Sequence, residues 1–243
     1  MFILPVNKDN PVRTLPWVVF ALIVVNGIVL IVTYLGYTPQ AVFMQYGFIP
    51  AQHRPITVLT SIFLHSGFWH YAGNMFFLWM FGNRVENMLG RVLFLLTYLV
   101  CGAGGAWLHF VLNPTSAVPC VGASGAISGI VGVFFVLFPK ANFDLVFYVG
   151  WWQIGSIPAR TYGAVGAWIG EQTVLGIITQ VAHVSSIAFW AHVGGFIVGL
   201  AVGGVFLAAV PKSTRRARAH AREWHRQDWY NREDDSDLTQ LKL

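Results

Sequence analysis

The 243-residue chain is 56% hydrophobic and only 10% charged, with a mean hydropathy of +0.59. Those values exclude a soluble domain with an oversized core and indicate a polytopic membrane protein. The net charge of +5 is no nucleic-acid signature, because most of it sits in one tail beside a membrane helix.

The first apolar run, Leu15 to Tyr37, is too long for a signal-peptide core, and no small-residue cleavage site follows it. It is a retained span, Leu15–Leu35. The second span is Trp69–Met88 and the third Val92–Leu112. The fourth is Ser124–Phe138, the fifth lies near Pro158–Ile178, and the sixth is Phe189–Val210. Between the fourth and fifth, Asn142 to Ile157 is apolar and aromatic but is interrupted by Pro158 and Arg160. It reads as an interfacial, partly extended loop. The expected fold is therefore an all-α membrane protein of six transmembrane helices. Residues 1–14 form an N-terminal segment, 15–210 the membrane domain, and 211–243 a basic then acidic tail. Cys101 falls in a span and Cys120 in a loop, so both are expected as free thiols.

Basic residues orient this layout. Lys8, Arg13, Arg84, Arg91, Lys140, Arg160 and the eight in the tail all fall on one side. That makes fourteen of the fifteen, and only Arg54 lies opposite. The positive-inside rule then makes both termini cytoplasmic. The even-numbered spans run from outside to inside.

The fourth span is short. From Ala123 to Phe138 it has 16 residues, whereas about 20 cross a bilayer core. Its N-terminus, with Ser124 between Gly122 and Gly125, must begin below the outer face. A hydroxyl there adjoins unpaired N–H groups and the positive end of a helix dipole, which suit an oxyanion. His192, one turn into the sixth span, and His70 and Asn74, on one face of the second, start from the same side. Four polar groups at one depth in hydrocarbon are less costly in one wetted cavity. Gly195, Gly199 and Gly203 recur every fourth residue, and Gly125 and Gly129 offer a matching strip. Close packing of these two helices would bring His192 to Ser124.

These residues resemble a known family. His65-Ser66-Gly67-Phe68-Trp69-His70-Tyr71-Ala72-Gly73-Asn74, the G-x3-E-x3-G through Gly82, Glu86 and Gly90, the GASG at Ser124 and the AHVGG at His192 look like the rhomboid intramembrane serine proteases. The similarity runs from about Thr57 to Gly203. It implies a rhomboid-like bundle and a Ser-His dyad, with Ser124 as nucleophile and His192 as general base. His70 and Asn74 match the side chains that hold the oxyanion with the Ser124 backbone N–H. His65 matches a structural polar residue near the site. The implied substrates are transmembrane proteins cut near the outer ends of their helices, with no cofactor and no metal. Two departures stand out. Ser128 occupies the position where many bacterial members carry an aromatic packed on the histidine, so something else must orient His192. The first loop lacks the family's Trp-Arg pair and has His53-Arg54-Pro55 nearby.

Duller roles fit other residues. Glu86 is expected to bond backbone or loop groups near the cytoplasmic face, and His109 to be a polar partner within its span. Glu171 fits a substrate gate or a simple hydrogen bond equally. The alternative to an enzyme is a catalytically silent rhomboid-like binder of transmembrane helices. A proton-coupled transporter would call for internal repeats, which the sequence lacks. The lipid bilayer is the one implied partner besides substrate, and nucleic acid is not one. The sequence leaves the oligomeric state open. The expected location is a bacterial inner membrane.

Overall fold

The computed structural model describes residues 2–7, 15–149, 152–182 and 188–214. In chain order its elements are β1 (Phe2–Asn7), α1 (Trp17–Gly36), α2 (Pro39–Tyr46), α3 (Thr57–Thr60), α4 (Phe68–Leu89) and α5 (Arg91–Leu112). These are followed by α6 (Ser124–Leu137), β2 (Asn142–Val149), β3 (Trp152–Arg160), α7 (Thr161–Ala182) and α8 (Phe189–Ala209). Each expected span has its helix: α1, α4, α5, α6, α7 and α8 in turn. Three of them, α1, α5 and α8, are long and apolar enough to cross a membrane by length and composition. The α4 helix misses that measure because it carries Asn74, Asn83, Arg84 and Glu86.

The protein is organised around α6. Its residues from Gly125 to Phe134 are all buried, as expected of a helix that is apolar all round. Neighbours enclose it and turn their own apolar faces outward. On α1, Val24, Ile28, Ile31 and Leu35 are exposed, and on α5 so are Val92, Leu96, Val100 and Trp107. Apolar faces turned outward suit a bilayer, and the small residues of α6 and α8 let the helices approach closely inside.

Glu86 explains how α1 begins. Its carboxylate accepts from the Val18 and Val19 backbone N–H groups at 3.1 and 2.9 Å. These are orphan donors in the first turn of α1, which carries no side-chain cap of its own. A carboxylate also favours the positive end of a helix dipole. Glu86 therefore does bond backbone, as its position at the end of the second span suggested. A turn farther along, the chain passes from α4 into α5 through Gly90 alone, at φ +88°. Only glycine takes that conformation freely.

The segment read as a loop is a sheet. β1, β2 and β3 form one antiparallel sheet in that order, with Phe2 opposite Tyr148, Asn7 opposite Phe143 and Asn142 opposite Arg160. The fold is thus mainly helical but not all-α, and the N-terminal segment contributes a strand. Pairing satisfies backbone groups that an interfacial loop would leave open. Pro5 and Pro158 both fall on edge strands, where a missing N–H is tolerated. Phe143 anchors the sheet to the bundle, its ring 5.6 Å from Phe81 and 5.8 Å from Phe134. The helix expected from Pro158 therefore starts only at Thr161, whose N–H donates to the Ala141 carbonyl at 3.0 Å. The tail from residue 215 onward, with most of its basic residues, lies outside the described residues, as do Lys8 and Arg13.

Candidate active site

Ser124 is the first residue of α6. The segment that delivers it is pinned on two sides. Phe48 and Cys120 exchange backbone hydrogen bonds of 3.0 and 2.8 Å, and the Gly122 N–H donates to the Ser61 carbonyl at 3.0 Å. Gly122 has φ +128°. A Cβ there would lie 2.8 Å from the His70 ring, so the position requires glycine for conformation and for space. Cys120 lines the cavity beside Ser124, and burial pushes its thiol up to about 12, so the protonated form prevails at neutral pH.

His192 reaches Ser124 because α6 and α8 touch backbone to backbone. A Cβ on Gly195 would run into the Gly125 carbonyl oxygen, and one on Gly199 into that of Gly129. The two strips therefore interlock as Gly195 on Gly125 and Gly199 on Gly129. On the other flank a Cβ on Gly194 would lie 2.7 Å from the Gly104 carbonyl oxygen of α5. One turn above Gly195, His192 Nε2 lies 2.8 Å from Ser124 Oγ. A hydroxyl bonded to an imidazole is the arrangement of a nucleophile and its base.

His70 and Asn74 stand on α4, facing the same space. The Ser66 backbone N–H donates to His70 Nδ1 at 3.3 Å, and the Ser66 hydroxyl is 2.9 Å from the same atom. A backbone N–H can only donate, so in the neutral ring the proton sits on Nε2. That nitrogen borders Gly122 and the space beside Ser124 Oγ: the Cβ that Gly122 lacks would be 2.8 Å from the one and 3.8 Å from the other. Asn74 uses one amide hydrogen on the His70 carbonyl at 2.8 Å. Among the described residues its second amide hydrogen bonds no other group, and Asn74 lines the space beside Ser124. His65 is buried behind them, its ring 5.2 Å from that of His70. Burial, with the neighbouring His70, pushes its pKa down to about 4. It is neutral at physiological pH. Nδ1 of His109 is buried without a hydrogen-bond partner among the described residues. Glu171 is exposed on α7.

Two residues on α7 complete the surroundings of His192, and neither was evident in the sequence. Gln172 Oε1 lies 2.7 Å from His192 Nδ1, and the Trp168 ring stacks on the imidazole at 6.4 Å and 29°. Ser128, in the position of the missing aromatic, instead donates to the Ser124 carbonyl at 2.7 Å. The one available signal was the four-residue spacing of Trp168 and Gln172, which places both on one face of the fifth span.

Ser124, His192, His70, Asn74, Trp168 and Gln172 open into a cavity of about 690 Å³ between α4, α6, α7 and α8. Below Ser124 it is apolar, lined by Phe77, Ile127, Val131 and Trp168. Such a cleft admits an apolar peptide segment and holds its polar atoms at one end.

Comparison with known proteins matches residues 52–209 to the Rhomboid domain. The chain belongs to the rhomboid family. The matched rhomboid region contains every residue of the site and ends with α8. Rhomboid protein 1, mitochondrial, of Saccharomyces cerevisiae is 31% identical over 178 residues, covering 70% of this chain and 47% of that protein. RHOMBOID-like protein 1 of Arabidopsis thaliana is 31% identical over 156 residues, covering 64% and 36%. The bovine Presenilin-associated rhomboid-like protein, mitochondrial, is 27% identical over 151 residues, covering 59% and 36%. The match spans less than half the length of each of these relatives. Rhomboid membership together with the apolar helices makes this an integral membrane protein. Two of the relatives are named as mitochondrial, so a bacterial inner membrane finds no support here.

Proposed function

We propose that this rhomboid is an intramembrane serine protease that hydrolyses peptide bonds in or near the transmembrane helices of membrane proteins. The observation that carries the reading is the 2.8 Å contact between His192 Nε2 and Ser124 Oγ at the start of α6. Ser124 Oγ attacks the scissile carbonyl as His192 Nε2 takes its proton. The oxyanion is held by His70 Nε2–H, the free Asn74 amide hydrogen and the Ser124 backbone N–H. His192 then protonates the leaving amine, and water releases the acyl group from Ser124. Six spans with both termini cytoplasmic, inferred from the basic asymmetry, put this chemistry in the outer leaflet.

The test is reconstitution in liposomes with a single-span substrate, with products mapped by mass spectrometry. Hydrolysis near the outer end of the substrate helix is the expected result. Substrate that binds and stays intact would favour the silent binder.

The oxyanion assignment carries its own expectation. One such donor in soluble serine proteases is worth ~10²–10³ in kcat. Here three donors share the charge, so Asn74→Ala and His70→Ala should each lower kcat by about tenfold with KM nearly unchanged. The double variant should be far more damaging than either. A raised KM at constant kcat would remove both residues from the oxyanion site.

A further inference from the structure

We infer that Gln172 positions the base: it fixes the tautomer and the aim of His192, as the third member of a chain Ser124–His192–Gln172. The inference rests on the hydrolytic reading and adds a residue that the dyad does not contain. The two ring nitrogens of His192 are engaged at opposite ends, Nε2 with Ser124 Oγ at 2.8 Å and Nδ1 with Gln172 Oε1 at 2.7 Å. An amide oxygen has lone pairs and no hydrogen, so Nδ1 must carry the proton. That leaves the Nε2 lone pair pointing at the serine hydroxyl. The other tautomer would aim an N–H at Ser124 and could not take its proton.

Gln172 is built to hold this contact. It is one of four buried residues on α7, a helix otherwise largely open to its surroundings. Trp168, one turn earlier, stacks on the imidazole, and Phe189 meets it edge-on at 6.4 Å. The ring is thus held in its plane by aromatics and in its tautomer by the amide. This answers the missing aromatic at Ser128, whose hydroxyl is engaged with the Ser124 carbonyl.

Among the described residues the amide has no rival. The titratable groups there that face His192 are His70 from α4 and His109 from α5, and α6 presents Ser124. Glu171, adjacent on α7, is exposed. Among the described residues no carboxylate bonds the ring. The imidazolium formed during attack is therefore supported by a neutral dipole, where a carboxylate would support it with a full charge. Holding the imidazole in the correct tautomer is a large part of what such a third group supplies.

Gln172→Leu and Gln172→Glu separate this role from a structural one. Both are measured in liposomes for kcat, KM, the pH dependence of kcat/KM and thermal unfolding. Gln172→Leu removes the acceptor, and kcat should fall by about tenfold or more, with KM within about twofold. Gln172→Glu keeps the acceptor and adds charge beside Nδ1. It should retain turnover and move the acid limb of kcat/KM up by about one pH unit. A group that only packs α7 on α8 would not move that limb. Should Gln172→Leu lose its fold, the Gln172→Glu profile decides. Either an unchanged kcat in a folded Gln172→Leu protein or an unmoved acid limb in Gln172→Glu would overturn the inference. So would a folded Gln172→Glu protein as slow as Gln172→Leu. Failure of the underlying hydrolytic reading looks different: wild type itself would not cleave, or Ser124→Ala would cleave equally well.

Discussion

Ser124→Ala and His192→Ala should each abolish cleavage of a single-span substrate while leaving the protein folded and inserted. In soluble serine proteases the loss of either member costs on the order of 10⁶ in kcat. The double variant should be no worse than either single one, because the two side chains act as a unit. The structure says why folding should survive. Among the described residues the Ser124 hydroxyl bonds His192, so Ser124→Ala removes that bond from a position that α6 already fixes. His192→Ala is harsher. It leaves the Gln172 carbonyl oxygen buried without a donor, at about 1–3 kcal/mol. Its melting temperature should therefore fall below that of Ser124→Ala although both are inactive. Near wild-type cleavage by Ser124→Ala would remove the nucleophile from the mechanism.

Gly195→Val and Gly199→Val should damage stability and activity together. At each position the first added carbon meets the backbone of α6, at Gly125 or Gly129, where no side chain can rotate away. Overpacking of a well-packed core costs ~1–3 kcal/mol; backbone against backbone belongs at or above the upper end. Relief requires the helices to separate, and His192 sits one turn from the collision. A shift of ~1 Å at a reacting pair costs about 10² in rate, so activity should fall by at least that factor. Gly204→Val on the same helix is the control. A Cβ there has open space around it and should change neither property. Unchanged melting and full activity in Gly195→Val would contradict the close crossing.

Much of the bundle was legible because its signals are local. Apolar runs gave the six long helices to within a few residues, though not the short α2 and α3, and small residues at four-residue spacing gave the strip on which α8 lies against α6. Ser124, His192, His70 and Asn74 could be grouped because helices starting from one side put their first turns at one depth. What could not be read was non-local or ambiguous. The sheet joins the first residues of the chain to a segment some 140 positions later, a pairing that no local pattern reports. The apolar, aromatic run from Asn142 was visible but competed with Pro158, which reads as a breaker until β3 is known to be an edge strand. Gln172 was hidden for another reason. A glutamine in a span looks like any polar residue in need of a partner, and only the placement of α7 shows that its partner is His192. The adjacent Glu171, the more conspicuous residue in the sequence, is exposed.

The central claim is that Ser124 is a nucleophile activated by His192. The most direct measurement is peptide mapping of the protein after reaction with a fluorophosphonate. A single adduct on Ser124, present in wild type and lost in His192→Ala, is the predicted result. An adduct elsewhere, or no adduct in a protein that still cleaves its substrate, would contradict it.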